Sequence, residues 1–175
     1  ESMKIYLDNA ATTPMDPDVY EAMLPILKEG FGNPSSTHSY GRKIKSHIEL
    51  ARKNVAQHLN CSTGELFFTS GGTEADNMAI RCAVRDLRVK HIITSKIEHH
   101  AVGNTINKLE KKGKVHVSYV RIDNKGHIDL VHLDELLNRH PNSLVSLMHA
   151  NNEIGNLLPI EEVSMICKKH SAFFH

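Results

Sequence analysis

Residues 71–121 read GGTEADNMAIRCAVRDLRVKHIITSKIEHHAVGNTINKLEKKGKVHVSYVR. Ala75, Met78, Ala79, Cys82 and Ala83 recur at the spacing of one helix face, which predicts a helix over Thr73–Leu87. Ile92 and Ile93 lie in a run too short for a helix, which predicts a strand over Lys90–Thr94. A second helix follows over Ala101–Lys112, closed by Gly113, and then a second strand over Val115–Arg121. Strands that alternate with helices of this length imply parallel strands joined by crossovers. Right-handed crossovers put helices on both faces of the sheet. The expected fold is therefore α/β, a three-layer α/β/α arrangement around a largely parallel sheet.

The alternation continues in both directions. Downstream, Asp129 caps a helix carrying Leu130, Leu133, Leu136 and Leu137; Leu144–His149 is a strand, Ile160–Lys169 a helix, and Ala172–Phe174 begins another strand. Upstream, Glu65–Thr69 reads as a short strand, and Ser39–Leu59 as a helix with Ile44, Ile48, Ala51, Val55 and Leu59 on one side. Asp16-Pro17, an N-cap followed by proline, opens a helix whose inward face is Val19, Ala22, Met23, Ile26 and Leu27. Pro25 is expected to kink or shorten that helix, and Gly30 and Gly32 to end it. The chain stops at His175 as a strand begins. A parallel sheet is normally covered on both faces, so the chain is read as the first part of a longer protein. An edge strand closing a small complete domain is the alternative. Glu1 and Ser2 read as an expression scar ahead of Met3.

Composition excludes several classes. With 40% hydrophobic and 23% charged residues, disorder is not expected as the main state. Lys plus Arg number 21 against 20 Asp plus Glu, a net charge of +1, so no field draws the chain to nucleic acid or an acidic membrane. No apolar run approaches the roughly 18 residues of a spanning helix. No apolar stretch of the kind that marks a secretory signal precedes Asp8. Cys61, Cys82 and Cys167 form no CxxC pair and no even framework, which fits a reducing, cytoplasmic location.

In an open α/β sheet, ligands bind beyond the carboxyl ends of the strands. Thr69-Ser70-Gly71-Gly72-Thr73-Glu74 precedes a helix whose first N–H groups and positive dipole end could hold an anion, with the Thr73 hydroxyl as a further donor. No Gly-Lys-Ser/Thr follows, so it is not a nucleotide-binding P-loop; a plain capped turn is the alternative. Ser95-Lys96-Ile97-Glu98-His99-His100 follows the next strand, where a histidine ring could stack on a flat ligand or carry a proton. Lacking HExxH spacing or a neighbouring cysteine, it is not read as a metal site, and a solvent-exposed loop histidine remains the plainer reading. His149-Ala150-Asn151-Asn152-Glu153 places two amides at a strand end, suited to a polar ligand or to a turn cap. Asp8–Pro14, with Ala10, Ala11, Thr12 and Thr13, is a small-residue loop that either approaches a ligand or closes over the core. Three rim loops suit one flat phosphorylated ligand better than any one of them does.

The runs YLDNAATTP (6–14), FGNPSSTH (31–38), FFTSGGTEADNMAI (67–80), IITSKIEHHAV (92–102) and VSLMHANNEIG (145–155) together resemble the amino-terminal portion of cysteine desulfurases. These are fold-type I, class V aminotransferase-like enzymes that use pyridoxal 5'-phosphate (PLP); TSGGTEADN and NNEIG resemble the NifS/IscS-like branch. The resemblance implies that Gly72 and Thr73 hold the cofactor phosphate and that His99 stacks on the pyridine ring and assists proton transfer. It further implies that Asn152 serves the ring oxygen and the substrate, and that Ala11 and Thr12 line the substrate side. Residues 3–30 are expected to pack with the small domain of the full protein, and 31–175 to form the first, incomplete part of the PLP-binding large domain.

The resemblance also implies an aspartate two residues beyond the histidine matching His175, then a Schiff-base lysine in a Ser-x-His-Lys run; the chain has no His-Lys pair. Covalent attachment of the cofactor through matched residues is therefore impossible here, and the 175 residues alone are expected to be inactive. For the full protein the implied reaction converts L-cysteine to L-alanine and leaves a persulfide on a later cysteine. The implied partners are a second identical subunit and a sulfur acceptor such as an Fe–S scaffold. The alternatives are a selenocysteine lyase of the same family and a naturally short, non-catalytic binding module. A dinucleotide-binding dehydrogenase is a poorer third, since its glycine fingerprint is absent.

Overall fold

A computed structural model describes residues 3–175, so the reading of Glu1 and Ser2 as a scar lies outside the described residues. The chain divides into two compact units, Glu1–Phe68 and Thr69–His175. Among the described residues no helix is long and apolar enough to cross a membrane.

In the first unit, helix α1 spans Pro17–Glu29, with Asp16 capping the Asp18 N–H at 2.8 Å. Pro25 does not end it; the helix runs on one further turn to Gly30, whose N–H donates to the Ile26 carbonyl. Helix α2 spans Ser39–His58 and is capped by the His38 ring, which accepts from the Gly41 N–H. Gly41 is buried, and a Cβ there would lie 2.5 Å from the carbonyl oxygens of both Asn33 and Ser36, so only glycine fits beneath that turn.

The expected strand over Glu65–Thr69 does not form. A single 3-10 turn, Thr63–Glu65, takes up Glu65, whose carboxylate accepts from the Ser62 N–H and hydroxyl at 2.8 and 2.7 Å. Leu66 is extended, but it, Phe67 and Phe68 have no ladder partner among the described residues; instead Arg52 donates to the Leu66 carbonyl and lies over the Phe68 ring. An apolar run specifies a strand only where a neighbour takes its N–H and C=O groups.

The second unit runs α3 (Gly72–Arg85), β1 (His91–Thr94), α4 (His100–Lys111), β2 (His116–Tyr119), α5 (Leu130–Arg139), β3 (Leu144–Val145), α6 (Ile160–Lys169) and β4 (Phe173–Phe174). All pairings are parallel, in the order β2-β1-β3-β4. Successive strand residues point to opposite faces. Ile92 and Leu144 therefore face Ile80, Ala83, Val102, Ile106 and Leu109 of α3 and α4. Ile93 and Val145 face Leu133, Leu136, Leu137, Val163 and Cys167 of α5 and α6. Two cores back to back on one sheet are the three layers expected. Burial pushes the Cys167 thiol up to about 11, so it is a packing residue rather than a nucleophile.

His91, at the start of β1, stacks on His140 with ring centroids 3.9 Å apart and lies 6.5 Å from His116. Burial first, then these two imidazoles, pull its pKa down from 6.5 to about 4. Between those values the unfolded chain holds the extra proton, so stability falls as pH drops through that window and is unaffected above it. His91→Asn is expected to flatten that loss by roughly 1 kcal/mol once solvent screening is allowed for. The check is melting temperature against pH; an unchanged acid slope would contradict it.

Candidate functional site

Because the strands are parallel, their carboxyl ends share one rim, and the helix that precedes or follows each strand starts there. Helix α3 begins at Gly72, with Gly71 as its N-cap. The first N–H taken up inside the helix is that of Ala75, which donates to Gly71 O at 3.1 Å. The N–H groups of Gly72, Thr73 and Glu74 precede it and carry the positive end of the helix dipole. The Glu74 carboxylate is turned back onto Ser70, accepting its N–H and hydroxyl at 2.7 Å each, which lowers its pKa. A Cβ built on Gly71 or Gly72 would meet nothing within 4 Å, so this turn is open on the side where an anion would sit.

His99 is the N-cap of α4. Its Nδ1 accepts from the Ala101 N–H at 3.2 Å, which puts the proton of the neutral ring on Nε2 and leaves the ring exposed. Sequence reasoning placed His99 at the rim but missed the cap, because histidine is outside the usual Ser/Thr/Asp/Asn capping set. Asn152 is exposed, and its side chain makes no hydrogen bond among the described residues. Its neighbour Asn151 is the opposite: 8% exposed, donating to Ile97 O at 2.9 Å and accepting from Glu153 N and Ile154 N at 2.8 and 3.1 Å.

A cleft of about 310 Å³ brings these loops together, with Lys96, Glu98, His99 and His100 on one wall and Asn151 to Ile154 on the other. Gly72 and Thr73 belong to the same rim. Helices α3 and α4 lie on the same face of the sheet, one running into β1 and the other out of it, so they run in the same direction. Asn77, five residues into α3, accepts from the Thr105 hydroxyl, five residues into α4, at 2.7 Å; the two helix starts are level. Asp76, one turn from Gly72, lies 3.6 Å from His175 Nε2 at the end of β4, and His175 Nδ1 is 3.0 Å from the buried Ser146 hydroxyl. Asp76, Ser146 and His175 are rim residues that sequence reasoning missed; nothing in their spacing announces the contact. Ala11 and Thr12 lie in the first unit, in a turn where both N–H groups donate to Asp8 O.

The family model described as aminotransferase class-V matches residues 5–175. A cysteine desulfurase IscS from Dictyoglomus turgidum is 49% identical over 174 residues, covering 98% of this chain and 44% of that protein. A putative cysteine desulfurase IscS 1 from Bacillus subtilis is 46% identical over 175 residues, covering 98% of this chain and 45% of the relative. Among solved structures, a NifS-like protein superposes with a TM-score of 0.90 at 40% identity, over 99% of this chain and 48% of that one. A structure of SspA in complex with cysteine superposes with a TM-score of 0.88 at 35% identity, over 97% of this chain and 49% of that one. The chain thus spans less than half the length of the relatives it matches.

Proposed function

The chain belongs to the class V aminotransferase family, and from that premise we propose that the complete gene product is a PLP-dependent cysteine desulfurase. It converts L-cysteine to L-alanine and leaves the sulfur as an enzyme persulfide. The observation that carries this reading is the meeting, at one sheet rim, of an anion-ready helix start, an exposed capping histidine and an unengaged asparagine.

The open turn at Gly71–Gly72 suits a phosphate: the N–H groups of Gly72 and Thr73, with the Thr73 hydroxyl, would hold it without a side chain in the way. The exposed His99 ring, fixed by Ala101 at Nδ1, would lie against the pyridine ring and hold a proton at Nε2. The Asn152 amide would serve the ring oxygen and the substrate, and Ala11 and Thr12 the substrate side. When bound, the cofactor supplies an electron sink for deprotonation at the substrate Cα. Lysine attachment and the sulfur-accepting cysteine are assigned to residues outside this chain. Residues 3–30 would pack with the small domain and 31–175 would form the first part of the large, PLP-binding one. The working unit is a cytoplasmic homodimer that passes sulfur to an acceptor such as an Fe–S scaffold, with no membrane or nucleic-acid surface in use.

The test is alanine formation from L-cysteine by the complete gene product with PLP. Turnover with persulfide formation is expected, and its absence from a PLP-loaded protein would overturn the reading. His99→Ala is expected to weaken cofactor retention about fivefold, in line with a ring-stacking contribution of roughly 1 kcal/mol; retention equal to wild type would remove His99 from the site.

A further inference from the structure

The loops carrying His99 and Asn152 leave adjacent parallel strands, β1 and β3, whose ladder is short. It pairs Ile92 with Leu144 and Ile93 with Val145, and its last bond runs from the Ser146 N–H to Ile93 O at 2.9 Å. Bonds in a parallel ladder alternate between the strands, so after a Ser95 N–H to Ser146 O rung the next donor on β3 would be the Met148 N–H, to Ser95 O. That bond is replaced. The Met148 N–H donates instead to the Glu98 carboxylate, Oε1, at 3.0 Å. The Ser95 hydroxyl donates to the same oxygen at 2.8 Å and itself accepts from the Ile97 N–H. In a second tie the side chain comes from the β3 side: Asn151 Nδ2 donates to Ile97 O at 2.9 Å.

Each tie is made by the residue immediately before a site residue: Glu98 before His99, Asn151 before Asn152. Both side chains are engaged between the loops. Glu98 is mostly buried, and burial raises its pKa while the Met148 and Ser95 bonds hold it down and the Asp76 charge raises it further.

We propose that Glu98 and Asn151 are positioning residues that replace the β1–β3 ladder beyond its end and so set the spacing of His99 and Asn152 across the cleft. This rests on the reading of His99 and Asn152 as cofactor contacts. A side-chain acceptor lets β1 peel away to deliver the His99 cap of α4, while β3 stays tied to the same loop. A continued backbone ladder would hold Ser95–His99 flat against β3 instead.

The experiment uses the complete gene product with PLP and three variants. Glu98→Ala removes the acceptor, Glu98→Asp is one methylene too short to reach Met148, and Glu98→Gln keeps an oxygen in place. Amide hydrogen exchange at Met148 is expected to quicken at least tenfold in Ala and Asp and to stay slow in Gln. The visible circular dichroism of the bound cofactor should shrink, and kcat fall by about tenfold, in Ala and Asp, as loosened positioning predicts, with Gln restoring both. If Glu98→Ala fails to fold, Glu98→Asp carries the test. Unchanged Met148 exchange in the folded variants, or lost protection with dichroism and kcat intact, would overturn the proposal. Asn152→Ala and His99→Ala serve as references. If they alter dichroism and kcat while the Glu98 variants do not, only the positioning role fails; if they too change nothing, it is the site reading that fails.

Discussion

Gly72→Asp is expected to lower the affinity of the complete gene product for PLP by about a hundredfold while leaving its melting temperature unchanged or slightly raised. The two halves of that expectation have opposite causes. A Cβ at Gly72 meets no atom within 4 Å, and Gly72 is the first residue of α3 without a positive φ, so the protein itself accepts a side chain there. An acidic group in the first turn of a helix is also favourable to the dipole, by roughly 0.3–1 kcal/mol. A phosphate held by the same N–H groups would meet that carboxylate directly, and a like-charge contact of this kind costs roughly 3 kcal/mol, or about a hundredfold. Gly72→Ala, which adds bulk without charge, should lie much nearer to wild type. Titration of the apoprotein with PLP, followed by absorbance, gives both affinities beside the melt. An Asp variant that binds within twofold of wild type would remove the helix start from the cofactor site.

The three-layer fold was legible because its signals are local. Ile92 and Ile93 sit side by side in a run too short for a helix, and their opposite burial partners are the two cores. Asp16 and Asp129 each announce a helix start and each accepts a backbone N–H there. What failed was whatever depends on a partner distant in sequence. Phe67 and Phe68 have the apolar character of a strand but no ladder partner among the described residues, and Phe67 remains 69% exposed. The strand expected over Leu144–His149 is cut to Leu144–Val145 because the Met148 N–H goes to Glu98, fifty residues away in sequence. The same limit applies at the rim. The order of motifs placed His99 and Asn152 on loops after strands and Gly72 at a helix start, but the ties made by Glu98 and Asn151, and the meeting of Asp76, His175 and Ser146, are long-range and leave no spacing to read.

Leu137→Ala tests the layer that supports the rim from behind. Leu137 is 0% exposed on α5 and packs in the core that holds Ile93 of β1 and Val145 of β3. Truncation of such a side chain costs roughly 3–4 kcal/mol, the lost transfer energy plus the cavity left between a helix and a sheet that cannot collapse together. Val131 stands on the same helix but is 70% exposed, so Val131→Ala should cost no more than about 0.5 kcal/mol. Protected amides of β1 and β3 report both by hydrogen exchange in the complete gene product, a hundredfold or greater acceleration being expected for Leu137→Ala and almost none for Val131→Ala. Similar exchange in the two variants would mean that α5 does not present this face to the sheet. The site should respond differently from the fold: β1 and β3 end where the His99 and Asn152 loops begin, so Leu137→Ala should loosen the strands and yet, while the chain stays folded, leave the cofactor dichroism near wild type. Loss of that signal in step with Glu98→Ala would place the alignment of the two loops in the packing of α5 rather than in the Glu98 carboxylate.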